Sequence, residues 1–265
     1  MSSSILFLGS GGARFVVARQ LRASGGMWMR LGDTQIHIDP GPGALVRALS
    51  HVPPCNPREL AAIVLSHKHL DHSGDVNVLI EAMTSGGFRR RGAVLAPADA
   101  FDEEPVVLPY THRFVERIER LEPSSGPYRI GDVELYTSML HVHAVATHGL
   151  HFVHDALRVS YLPCGRYFER LVDDYAKHRP DVLVVNVLRH RDDMQIDHFA
   201  WSDARHVVAG VRPKVAVFQH FGTKMLEADP PKLAAELEDE LGIRAIAAYD
   251  GFSLDLETEV AAATV

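Results

Sequence analysis

Cysteine and long apolar runs are both scarce in this sequence. Its 265 residues include only two cysteines, Cys55 and Cys164, too few for a disulfide framework. No segment reaches the ~18 consecutive apolar residues that a membrane-spanning helix needs. The segment from Met1 to Leu8 also lacks the basic stretch of a secretory signal. These absences exclude a disulfide-stapled scaffold and predict a cytoplasmic protein without a membrane partner.

Positive charge is not in excess either. The formal net charge is −7 at pH 7, so the molecule as a whole does not attract nucleic acid. The basic run Arg89-Arg90-Arg91 is interpreted as a solvated turn in preference to a phosphate-binding patch. Nucleic acid is therefore an allowed partner but not a favoured one. The 46% of hydrophobic residues excludes a disordered chain.

Short apolar runs alternate with amphipathic segments along the chain, and most runs are continuous in Val, Ile, Leu and Ala, as in strands buried on both faces. The predicted strands are Ile5–Gly9, Gln35–Asp39, Ala61–Ser66, Ala93–Ala96, Val133–Thr137, Leu157–Leu162, Val182–Val187, Val215–Gln219 and Ala245–Tyr249. The predicted helices are Gly43–Ser50, Asp75–Thr84, Tyr167–His178, Ser202–Gly210 and Pro231–Leu241. Ser202 is the predicted N-cap of its helix. No long linker or repeat divides the chain, so residues 1–265 are expected to form one α/β domain.

Four side chains able to bind a metal follow one predicted strand within six residues. The order is H-x-H-x-D-H, formed by His67, His69, Asp71 and His72. Alternate residues of an extended segment point the same way, so His67 and His69 can bind one ion. A turn at Asp71-His72 then directs these two side chains to a second ion. Three such ligands with one open position form the zinc arrangement that activates water near neutral pH.

With this motif the sequence resembles the metallo-β-lactamase superfamily, and within it the ribonuclease Z and cyclic-phosphodiesterase branches. The resemblance also rests on the glycine turn from Phe7 to Gly12 and on the segment from His37 to Gly43, which precede the histidine motif in the family's order. It implies a four-layer αββα sandwich with the metals at one edge, between the two sheets. It also implies further ligands later in the chain.

The resemblance requires a third and a last histidine ligand. The third lies between His141 and His151, where the branch has a His-x5-Gly pattern that His143 and Gly149 match. His148 is the alternative. The last ligand follows the predicted strand ending at Gln219, and His220 occupies that place.

The sequence departs from the family where an aspartate normally bridges two metal ions, because Cys164 stands there. A cysteine thiolate is a good zinc ligand, and it shifts preference toward zinc over manganese. Cys164 is thus expected to be a ligand. Two alternatives stay open: an unliganded neighbour of a weakened second site, or an oxidisable switch.

Two residues are candidates for catalysis. His198 stands where ribonuclease Z-like enzymes have a histidine that contacts the scissile phosphate, and it would act as a general acid. An equal alternative makes it a loop histidine capping the helix near Ser202. Asp71 is a candidate both for binding metal and for orienting the bridging hydroxide.

The resemblance implies a hydrolase with two zinc ions, with manganese or iron as other candidates, acting on a phosphodiester through a metal-bound hydroxide. A small-molecule or nucleotide-like substrate is expected, because the chain lacks the protruding Gly/Pro-rich arm with which ribonuclease Z grips transfer RNA. The alternatives are hydrolysis of a carboxylic ester, lactone, thioester or β-lactam, and a non-catalytic metal-binding or redox-sensing protein. The sequence leaves the oligomeric state open, and a homodimer is a candidate by analogy with the family.

Overall fold

The computed structural model describes residues 2–102, 104–192 and 196–263. Across these residues the strands form two seven-stranded sheets, in the orders β14-β1-β2-β3-β4-β5-β6 and β13-β12-β11-β10-β9-β8-β7. The strands are β1 Ser4–Phe7, β2 Met27–Leu31, β3 Thr34–Ile38, β4 Leu60–Val64, β5 Ala93–Pro97, β6 Arg117–Leu121, β7 Tyr128–Ile130, β8 Val133–Leu140, β9 His148–His154, β10 Leu157–Leu162, β11 Val182–Asn186, β12 Val215–Gln219, β13 Arg244–Ala247 and β14 Phe252–Asp255.

The helices connect the strands and cover the outer faces of the sheets. They are α1 Ala13–Arg19, α2 Ala44–Ser50, α3 Leu70–Ser73, α4 Val76–Thr84, α5 Arg170–Ala176, α6 Trp201–Val211, α7 Thr223–Glu227, α8 Pro230–Leu241 and α9 Leu256–Ala262. Short 3-10 segments span Pro57–Glu59, Ala98–Ala100 and Pro109–Phe114. Within the described ranges, none of the helices is long and apolar enough to cross a membrane.

Three apolar cores separate four layers. The central core lies between the sheets and combines residues such as Ile36 of β3 with Val184 of β11. One outer core packs α4, through Leu79, against the first sheet. The other packs α6, through Val207, against the second sheet. This αββα arrangement confirms the predicted sandwich, because each sheet must bury both of its faces.

The site-bearing loops meet at one edge because neighbouring strands are parallel. Strands β3, β4, β5 and β6 run parallel in the first sheet, and β10, β11, β12 and β13 run parallel in the second. Parallel strands end at the same edge of a sheet, where open α/β sheets place their ligand-binding crevices. The carboxyl ends of β3, β4, β10 and β12 deliver Asp39, His67, Cys164 and His220 to this edge.

Two of the differences from the predicted elements concern segments that carry or adjoin candidate residues. The segment His148–His154 is strand β9, which the sequence pattern missed because three histidines interrupt its apolar residues. Helix α6 begins at Trp201, not at Ser202, and the Asp203 carboxylate accepts a hydrogen bond from the backbone N–H of Ala200 at 2.9 Å. An aspartate three positions after the cap residue thus satisfies the free N–H group at the start of the helix.

Three buried histidines make stability depend on pH. Burial lowers the pKa values of His37, His141 and His148 to about 4, whereas in the unfolded chain each pKa is about 6.5. The unfolded chain therefore binds more protons between these limits. The stability that these three histidines contribute is full above pH 6.5 and is lost toward pH 4, by up to about 1.4 kcal/mol per histidine for each pH unit.

We expect His148→Gln to reduce the slope of the free energy of unfolding against pH by about one third of the contribution of the three histidines, because glutamine does not titrate. The free energy of unfolding in urea, measured for both proteins from pH 7 to pH 5, checks the prediction. Equal slopes in the two proteins would contradict it.

Candidate metal centre

The H-x-H-x-D-H segment leaves β4 in extended form and then turns. His67 is fully buried three residues beyond the strand, and His69 precedes the single-turn helix α3. That turn carries Asp71 and His72, whose donor atoms lie near that of His220. The His72 ring also lies 4.1 Å from the His67 ring, so the two pairs of side chains adjoin. The local chain geometry divides the four side chains between two adjoining groups of potential metal ligands.

The first group consists of His67, His69 and His143, whose donor atoms lie within 4.8 Å of one another. The Nε2 atom of His143 is 3.1 Å from Nδ1 of His69. The Nε2 atom of His67 is buried without a hydrogen-bonding partner in the described part of the chain. Burial lowers the pKa of His67 to about 4, so its ring is neutral and offers a lone pair. A buried nitrogen with a free lone pair and no hydrogen-bonding partner is suited to binding a cation.

The second group consists of Asp71, His72 and His220. The Nε2 atoms of His72 and His220 approach to 3.0 Å, and the Asp71 Oδ2 atom is 3.3 Å from Nε2 of His220. Burial lowers the pKa of His220, but the negative charge of Cys164 and the hydrogen bond to Asp71 raise it to about 9. Without a metal this group therefore holds protons that a cation would replace.

Cys164 lies between the two groups. Its Sγ atom is 3.6 Å from Nε2 of both His72 and His220, and it also falls within 4.8 Å of the donor atom of His67. Burial raises the pKa of the thiol, but the positive charges of His220 and His72 outweigh this and hold the pKa well below its usual range. A thiolate at this position can take part in binding a cation, as the family's aspartate would.

Asp39 holds the second group in place, a role that the sequence pattern did not assign to it. Its carboxylate accepts hydrogen bonds from Nδ1 of His72 at 3.0 Å, from the Tyr161 hydroxyl at 2.9 Å and from the Ser66 backbone N–H at 2.6 Å. Burial raises the pKa of Asp39, but the positive charge of His72 and its hydrogen bond have the larger effect. The pKa of Asp39 is therefore lower than its usual value. Asp39 therefore stays ionised and leaves Nε2 of His72 facing the site.

Gly12 provides the space for His220. A Cβ atom at Gly12 would lie 2.2 Å from Nδ1 of His220, closer than any non-bonded contact. The backbone N–H of the next residue, Ala13, donates to Oδ2 of Asp71 at 3.1 Å. The opening glycine turn thus contacts two members of the second group. The sequence signal for this role was the place of the turn before the histidine motif.

His148 and His198 occupy different surroundings. His148 is buried in β9, bonds the Leu121 carbonyl and lies outside all the donor groups. The half-buried His198 ring lies 5.2 Å from the His143 ring and stacks on the His220 ring at 6.0 Å. Because Asp203 caps α6, His198 is not the helix cap. The structure therefore brings His143 and His198 to the metal centre and leaves His148 outside it.

The chain belongs to the β-lactamase superfamily, whose domain model matches residues 34–221. Its sequence is similar to MJ1374, an uncharacterized protein of Methanocaldococcus jannaschii. The two are 29% identical over 272 residues, which cover 97% of this chain and 96% of the relative. The predicted family is confirmed, and membership of it implies that the chain binds a divalent metal.

Solved structures share the fold. YhfI, a metallo-β-lactamase fold protein from Bacillus subtilis, superposes with a TM-score of 0.76 at 18% identity, covering 96% of this chain and 99% of YhfI. A diphosphatase of the PhnP family has a TM-score of 0.66 at 20% identity, covering 96% and 97%. The short form of human tRNase Z has a TM-score of 0.70 at 14% identity, covering 96% and 99%. The predicted likeness to the branch that includes ribonuclease Z is thus found at the level of fold.

The two candidate third histidines can be separated by metal content. His143→Ala should lower the zinc bound per chain by about one ion, because it removes one of three ligands of the first group. His148→Ala, the matched control, should bind as much zinc as the parent. Elemental analysis of protein purified without chelators checks this, and the reverse pattern would contradict it.

The space left by Gly12 can be tested by filling it. Gly12→Ala should displace His220 and weaken binding of one metal ion at least about tenfold, while the ion in the first group stays bound. Ala13→Gly is the control, because it keeps the N–H that Asp71 accepts. Competition with a coloured chelator measures both affinities. Unchanged binding of both ions in Gly12→Ala would disprove the role of this glycine.

Proposed function

We propose that this protein is a hydrolase with two metal ions that acts on phosphodiesters, with zinc as the preferred ion. The observation that carries the proposal is that Cys164 links two three-residue donor groups, because it forms a third group with His67 of the first and His72 of the second. Imidazole nitrogens and a thiolate favour zinc, whereas manganese prefers oxygen ligands. His67, His69 and His143 would hold one ion. Asp71, His72 and His220 would hold the other, with Cys164 available to both groups.

The crowding of the donors favours bound cations over the protons that the metal-free centre holds. Neutral imidazoles gain nothing from close contact with one another, and the buried thiolate and carboxylates are costly without positive charge nearby. When bound, divalent ions at such a centre supply Lewis acidity, which activates water and offsets charge on the attacked group. The chain's own task is to hold the donors in place and to move protons.

Asp71 and His198 are the residues proposed to move protons. The Asp71 carboxylate faces the second group and is fixed by the Ala13 N–H, so it can accept a proton from an attacking water. His198 belongs to neither donor group, and its ring lies beside both His143 and His220. This position suits donation of a proton to the leaving oxygen.

The substrate class is proposed from the relatives and the charge. Two of the similar structures are a diphosphatase and a transfer-RNA nuclease, which both act on phosphoester or phosphoanhydride bonds. The net charge of −7 gives a long nucleic acid no general attraction. A small or nucleotide-like phosphodiester therefore fits better than an intact RNA.

Activity on bis(p-nitrophenyl) phosphate tests the proposal. The zinc-loaded protein should hydrolyse it, and His69→Ala should lower kcat/KM at least about 100-fold by removing a ligand. Cys55→Ser, which changes the cysteine far from the centre, should match the parent. Activity that survives unchanged in His69→Ala would refute the assignment. Turnover of carboxylic esters, lactones or β-lactams without any phosphodiester would establish the acyl alternative.

His198 can be tested through the leaving group. A dinucleoside phosphate has a poor alkoxide leaving group that needs a proton, whereas p-nitrophenolate leaves readily without one. His198→Gln should therefore lower kcat about 100-fold or more for the dinucleoside phosphate and much less for bis(p-nitrophenyl) phosphate. Equal losses on the two substrates would rule out the role of general acid.

A further inference from the structure

Three polar side chains lie side by side behind the metal centre, at the carboxyl ends of neighbouring strands. They are Tyr161 of β10, Asn186 of β11 and Gln219 of β12, each at most 4% exposed. Side chains alternate between the faces of a strand. Val184, two residues before Asn186, lies in the core between the sheets. All three polar side chains therefore point inward, where polar groups must find partners.

Their hydrogen bonds run in one direction. The Tyr161 hydroxyl donates to the Asp39 carboxylate at 2.9 Å, and burial together with the charge of Asp39 raises the pKa of Tyr161 well above its usual value. Its single proton is thus already used, so the Tyr161 oxygen can only accept from Asn186, whose Nδ2 lies at 3.0 Å. Gln219 Nε2 donates to the Asn186 carbonyl oxygen at 3.2 Å.

This order fixes which end of the Asn186 amide faces Cys164. Since Nδ2 must face Tyr161, the second N–H of the same nitrogen is free to reach the sulfur. The Nδ2 atom lies 3.7 Å from Sγ of Cys164, within range for a hydrogen bond to sulfur. The flipped amide would place an oxygen against both the thiolate and the Tyr161 oxygen, which is repulsive.

We propose that Asn186 is a positioning residue that donates a hydrogen bond to the Cys164 thiolate and tunes its strength as a metal ligand. The inference rests on the proposed metal centre and adds the group that supports its unusual ligand. A thiolate has one donor atom where the family's aspartate has two. A buried N–H can orient that atom, and it withdraws electron density from the sulfur, as hydrogen bonds to cysteine ligands do in other metal centres.

Cobalt in place of zinc makes this hydrogen bond visible, because a thiolate bound to Co²⁺ gives a charge-transfer absorption band. Loss of the hydrogen bond raises the energy of the sulfur electrons, so Asn186→Leu, of similar size, should shift the band to longer wavelength. It should also weaken binding of one Co²⁺ about tenfold. Gln219→Met removes only the hydrogen bond that Gln219 donates to the Asn186 carbonyl oxygen. It should therefore shift the band in the same direction but by a smaller amount.

Controls separate this role from packing. Val184→Ala removes buried volume from the same strand and face without touching Cys164, and should leave the band in place. Cys164→Ser should abolish the band, since Cys55 lies elsewhere. Circular dichroism shows which variants fold, and if Asn186→Leu does not, Gln219→Met decides the question.

The outcomes are distinct from those for catalysis, because the spectra need no substrate. A shifted band in a protein that hydrolyses no phosphodiester would support this inference and refute only the proposed function. An unshifted band in folded Asn186→Leu, or in Gln219→Met where that variant decides, would overturn the inference. A parent protein without any band would overturn it too, because Cys164 would then not be a ligand.

Discussion

The buried carboxylate of Asp39 is the group on which the arrangement of the metal centre depends. It lies between the sheets at the end of β3, and it accepts hydrogen bonds from Ser66 beyond β4, from Tyr161 of β10 and from His72. A buried carboxylate without such donors is strongly destabilising. Its burial therefore requires that both sheets and the histidine loop keep their relative positions. The same bonds direct the His72 ring toward the second donor group.

A second constraint is electrostatic. Asp71, Cys164 and two histidines crowd into one buried space, and in the metal-free protein their charges are balanced by protons shared among them. Bound divalent cations would balance the negative charges in place of these protons. The imidazole lone pairs would then be free to bind the metal ions. The proposed Asn186 hydrogen bond fits this picture, because it stabilises negative charge on sulfur without adding another charge to the cluster.

Much of the fold and part of the site could be predicted from local patterns. Continuous apolar runs revealed most strands of the parallel parts of the sheets, because those strands are buried on both faces. The edge strand β6 was missed because it is charged and only partly buried, and β9 because of its histidines. The choice between His143 and His148 was open in the sequence, since it depends on where β9 begins. His148 is the first residue of that strand, whereas His143 lies in the preceding loop.

The sequence by itself determined the chemistry of the donors. His67, His69, Asp71 and His72 are close in the chain, so a strand followed by one turn is enough to divide them between two groups. Only the tertiary structure decided the neighbours of those donors. Gly12 meets His220, and Asn186 meets Cys164, through the order of strands and the facing of two sheets. Alternation along a strand tells which residues point inward, but not which inward residue of another strand they will meet.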